Sequence, residues 1–155
     1  MTVMDVAELL TRANEVPEFD FGEMANASIE SVKAAYNGCG PERWPEYIRD
    51  YLDEKTQEYA PAVMEHDFSF TNSDGTEENL ERANARFRHN INAIFSHDYP
   101  LFTWRMLNPK YRLERAHSKA VQTALCVGVS KVFTRQAWRE ANAKRSKAVM
   151  DCGGI

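Results

Sequence analysis

Long apolar runs are missing from this sequence. The longest uninterrupted one, Ala124 to Val129, is far short of the roughly 20 residues that cross a bilayer. Met1 to Leu10 lacks a basic stretch followed by an apolar one, so no secretory signal is legible and cytoplasmic synthesis is the expectation. Cysteine is scarce. Cys39, Cys126 and Cys152 are odd in number, widely spaced and without a Cys-x-x-Cys pair, which argues for free thiols in a reducing compartment and against a disulfide framework. Repeats, low-complexity tracts and dividing linkers are absent too. What remains is 155 residues with 43% hydrophobic and 27% charged content, enough for one folded domain that buries its own core.

The net charge of −4 conceals an asymmetry. Residues 1–100 carry 8 Lys and Arg against 20 Asp and Glu, a net of −12, whereas residues 101–155 carry 11 against 3, a net of +8. A basic half can serve anionic lipid or nucleic acid. Alternatively, the two halves face one another, within the fold or across a homo-oligomer.

Helical signals dominate the chain. Thr2 can cap a short helix carrying Val6, Leu9 and Leu10, and a second runs from about Asn26 to Tyr36, ending at Asn37-Gly38. Tyr47, Ile48, Tyr51 and Leu52 recur at helical spacing over Glu46–Glu58. Pro61 suits the first turn of a helix over 61–70. Asn72-Ser73-Asp74-Gly75 is then a turn, and Thr76 caps a longer helix over 76–95, whose stripe is Leu80, Ala83, Phe87, Ile91 and Ile94.

Leu101 to Leu107 reads as a short helix and 110–133 as another. The latter is apolar on nearly every side from Ala120 to Val132, as a buried central helix would be. A last amphipathic helix covers 134–149, with Trp138 on its apolar side. The expectation is an all-α single domain of five to seven helices, with 61–70 and 76–95 as a central antiparallel hairpin.

One constellation could carry chemistry. His66-Asp67 are adjacent on a helix and point about a hundred degrees apart, so imidazole and carboxylate can serve neighbouring sites. Tyr36-Asn37-Gly38-Cys39-Gly40-Pro41 is a tight loop whose exposed carbonyls suit hard Ca²⁺. Asn84 lies on the partner helix, where its side chain could orient the imidazole. A base, an orienting partner and a metal make an ester hydrolase that needs no covalent nucleophile.

That order of elements resembles the phospholipase A2 superfamily, especially its short bacterial and viral members, over Tyr36 to Phe87. The resemblance rests on Asn37-Gly38-Cys39-Gly40-Pro41, His66-Asp67-Phe68-Ser69-Phe70 and Arg82-Ala83-Asn84-Ala85-Arg86-Phe87. It implies that carbonyls of the Tyr36–Gly40 loop (Tyr36, Gly38 and Gly40) and the Asp67 carboxylate bind calcium. It also implies that His66 is the general base for water attacking a phospholipid ester. Two positions depart from the family, which has Asp where this chain has Asn84 and usually Tyr where it has Phe70. An amide can hydrogen-bond the imidazole but cannot stabilise the imidazolium formed in catalysis, so the implied activity is weakened or lost.

Other residues read more plainly. His97-Asp98 sits at a helix end as a cap feature, His89 and His117 are surface or satisfied histidines, and Cys126 is a small apolar side chain. Glu77, Glu78 and Glu81 complement a helix N-terminus, beside Glu65 in the same acidic cluster. The competing function is a non-catalytic binding protein. Its basic half interleaves Phe102, Trp104 and Tyr111 with Arg105, Lys110, Arg112 and Arg115, a composition suited to anionic lipid, single-stranded nucleic acid or a protein partner.

Overall fold

A computed structural model of the chain describes residues 5–39 and 44–128, with Trp138, Arg139 and Ala143. The fold is all-α. Among the described residues there are six α-helices and three 3-10 turns, and no strand. α1 is Val6–Glu15, α2 Ile29–Ala35, α3 Glu46–Thr56, α4 Ala60–Asn72, α5 Glu77–Asp98 and α6 Pro109–Gly128. The 3-10 turns are Gly22–Asn26, Gln57–Tyr59 and Trp104–Leu107. No described helix is long and apolar enough to cross a membrane.

Capping chemistry sets several boundaries. Thr2 lies outside the described residues, and Asp5 takes the N-cap position of α1. α2 starts later than its sequence suggests, because the Ser28 hydroxyl accepts the Ser31 N–H at 3.2 Å and Gly22–Asn26 coils into its own 3-10 turn. The Thr76 hydroxyl likewise accepts the Asn79 N–H. Asp74 Oδ1 receives the Thr76 N–H, the Thr76 hydroxyl and the Asn79 amide, so the whole turn before α5 is satisfied by side chains.

α4 is the central helix. Every residue from Pro61 to His66 is buried, and the helix packs on α1, α2, α5 and the Gly22–Asn26 turn. Residues 73–76 return the chain along α4 as α5. The α5 stripe Leu80, Ala83, Phe87, Ile91 and Ile94 is buried throughout, each large member contributing about 1.5–3 kcal/mol.

α6 does not fill the central role its composition suggests. Over its described part only Tyr111, Ser118 and Gln122 are buried, and Val127 is 46% exposed. A helix apolar all round is buried only when neighbours surround it. Here α6 meets α5 along one side and the Trp104–Leu107 turn near its start. Residues 129–137 lie outside the description. So does most of the expected 134–149 helix, although Trp138 is buried and Arg139 exposed.

Candidate active site

α4 and α5 bring His66 and Asn84 together. His66 Nε2 lies 2.9 Å from Asn84 Oδ1. An amide oxygen only accepts, so Nε2 carries the ring proton and Nδ1 holds the free lone pair. The ring is wedged between Phe70 and Phe87, with centroids at 4.4 and 4.7 Å. Trp138 meets Phe70 edge-on at 4.7 Å and donates its indole N–H to the Gly75 carbonyl. These aromatics leave His66 only 8% exposed. Burial pulls its pKa down from 6.5 to about 4, with the Asn84 hydrogen bond working the other way. The imidazole is therefore neutral at physiological pH.

The glycine loop comes to Asp67. The Asn37 N–H donates to Asp67 Oδ2 at 3.1 Å, and the Cys39 N–H donates to Asp53 Oδ1 at 2.6 Å. Gly38 has φ +85 between them, and a Cβ there would fall 2.7 Å from Asp53 Oδ2. The backbone conformation favours glycine, and a Cβ there would also push the Asp53 carboxylate aside. Tyr36 ends α2 half-buried, its hydroxyl pushed well above its usual pKa by burial and by Asp53 and Asp67. Gly40 lies outside the described residues.

Two carboxylates from different helices thus border one loop, and of these only Asp67 is legible in the sequence. Asp53 is held above the ordinary carboxylate range by burial, against the Cys39 N–H that favours its charge. Nothing in Asp50-Tyr51-Leu52-Asp53-Glu54 distinguishes it from a solvated helix face. Among the described residues no three His, Cys, Asp or Glu side chains gather as metal ligands. A cation here would draw on Asp53, Asp67 and backbone carbonyls. Burial pushes the Cys39 thiol up to about 11, so it remains protonated and offers no soft thiolate. The donor set is all oxygen, the chemistry that hard Ca²⁺ takes and Zn²⁺ does not favour.

On the other side of α4, Glu65 is fully buried. Its Oε1 accepts from Ser69 at 2.7 Å and from Arg86 Nη1 at 3.0 Å, and Arg86 Nε reaches Asp20 at 3.2 Å. Burial outweighs these partners and pushes the Glu65 carboxyl up to about 7. In the sequence Glu65 falls in one acidic cluster with the residues that open α5. The usable signal was its position on the apolar helix, where a charge needs a partner. A cavity of about 20 Å³ lined by Glu23, Ser69, Ser73, Asn79, Arg82 and Arg86 adjoins this pair. It has room for about one water and none for a substrate.

The remaining candidates fall outside the site. His97 Nδ1 lies 3.0 Å from Asp98 Oδ1 at the end of α5, and Asp98 also pairs with Arg12. His89 is exposed and bonds the Glu18 carbonyl. Cys39 is a free thiol, and Cys126 is partly buried on α6. No protein-family model, curated protein or solved structure matches the chain.

Proposed function

We propose that this protein is a calcium-dependent hydrolase of phospholipid esters, of the phospholipase A2 kind, acting through His66. The observation that carries the reading is the 2.9 Å His66–Asn84 bond, one residue from an Asp67 carboxylate that receives the glycine loop. A base hydrogen-bonded to its orienting partner thus precedes, on the same helix, a carboxylate tied to the glycine loop.

Asn84 Oδ1 accepts the hydrogen bond from Nε2–H and aims Nδ1. That lone pair takes a proton from the water whose oxygen bonds to the ester carbonyl carbon. As the ester C–O bond breaks, the imidazolium returns the proton to the leaving alkoxide, giving a free fatty acid and a lysophospholipid. Asp67, Asp53 and the carbonyls of Tyr36 and Gly38 would hold calcium, which when bound supplies Lewis-acid polarisation of the carbonyl. Phe70 and Phe87 flank the ring and hold its orientation. Two features slow the reaction. A base with a pKa of about 4 has little driving force for proton abstraction, and the uncharged Asn84 offers only a dipole to the imidazolium.

The test is fatty-acid release from mixed phospholipid vesicles and from a soluble short-chain phospholipid, with calcium or with chelator. Release that requires calcium and falls about 10²–10⁴-fold in His66→Gln is the expected result. Release that survives in His66→Gln or in chelator contradicts the proposal, as does no release from either substrate at high protein concentration.

A further inference from the structure

We infer that Leu101–Leu113 is a docking surface for an anionic lipid surface, separate from the His66 site. Five large apolar side chains in this stretch project into solvent. Phe102 is 101% exposed, Leu107 87%, Trp104 79%, Leu113 72% and Leu101 58%. Isolated exposed apolar residues need no explanation, but five in thirteen positions concentrate apolar surface in one short stretch, as interaction sites do.

The patch is displayed on a fixed base. The Thr103 hydroxyl caps the Trp104–Leu107 turn by accepting the Arg105 N–H, and that turn packs on α6. Buried Tyr111 donates its hydroxyl to the Pro100 carbonyl at 3.3 Å, and Arg115 Nε donates to the Tyr99 carbonyl at 3.2 Å. The apolar side chains are therefore held outward by structure on both flanks.

Charge selects the occupant. Residues 101–115 carry four basic side chains and one acid. Arg105 and Arg112 are exposed and have no ion-pair partner among the described residues, and Lys110 reaches only the exposed Glu114 at 3.8 Å. An anionic lipid surface takes both parts of this pattern, with leucines and Phe102 among acyl chains, Trp104 at headgroup level and the cations on phosphates. Nucleic acid would stack on Phe102 and Trp104 and pair with the arginines, but would leave the three leucines in water. A second copy related by a two-fold axis would bring the same exposed cations against one another.

The inference does not rest on hydrolysis, and its test keeps the two apart. Co-sedimentation with phosphatidylglycerol-containing or pure phosphatidylcholine vesicles is measured in chelator, using His66→Gln as the parent chain. The parent is expected to prefer the anionic vesicles. Phe102→Ser with Trp104→Ser weakens that binding by at least about tenfold, with an unchanged far-ultraviolet circular dichroism spectrum. Lys110→Glu with Arg112→Glu removes the preference for anionic lipid. Binding unaffected by the Phe102 and Trp104 changes overturns the inference, as does no binding to either vesicle. So does a patch whose substitution abolishes dimerisation or oligonucleotide binding while vesicle binding stays the same.

Discussion

Replacing Asn84 with aspartate is expected to raise the hydrolytic rate by about 10²-fold or more, an increase from a substitution in the site. Asn84 fixes the tautomer of His66 through one 2.9 Å bond but carries no charge. A carboxylate at position 84 keeps that bond and adds attraction to the imidazolium, which exists only once the proton has been taken. Its stabilisation therefore falls on the transition state and not on the resting site. The same charge raises the His66 pKa from about 4 toward neutrality, where a general base is more effective. Initial rates at saturating calcium, wild type against Asn84→Asp, check this. An unchanged or lower rate, with the fold intact, would mean that His66 does not cycle through an imidazolium.

The largest stability effect is expected at Arg86. Arg86→Ala leaves the fully buried Glu65 carboxylate with Ser69 as its remaining donor, and losing one partner of a buried pair costs about 3–5 kcal/mol. The loss depends on pH. Without Arg86 the folded-state pKa of Glu65 rises further above the ordinary 4.5. The folded state then holds a proton that the unfolded state has released, so stability falls as pH rises above about 4.5. Urea unfolding is expected to show a much larger loss for Arg86→Ala near pH 8 than near pH 5. Equal losses at both would mean that Glu65 does not titrate with folding. At the adjacent residue the sign reverses. The folded His66 pKa lies below its ordinary 6.5, so the unfolded state binds the extra proton and stability rises with pH from about 4 to 6.5.

Much of the helical layout was legible because periodicity and caps are local. Leu80 to Ile94 at three- and four-residue spacing could bury only one face of α5, and Thr76 could cap only from its turn. The meeting of His66 with Asn84, and of the loop with Asp67, was anticipated through the order of motifs and not through any local rule. Asp53 was not, because a carboxylate on a half-exposed helix looks the same whether it faces water or a loop. The centre of α6 misled for a related reason, since composition reports that a segment tolerates burial and says nothing of how many neighbours reach it. Phe102 and Trp104 left packing and exposure equally open, because an aromatic beside an arginine suits either.

The premise beneath the proposed chemistry is that His66 is a neutral imidazole, protonated at Nε2 and bare at Nδ1. Long-range ¹H–¹⁵N spectra of the histidine rings, followed through a pH titration, read tautomer and charge directly. The expected result is a His66 ring signal, identified by its loss in His66→Gln, that is in the Nε2–H form and stays neutral until the pH approaches about 4. A His66 resonance in the Nδ1–H form, or one titrating near 6.5, would contradict the base assignment and the hydrolytic reading built on it.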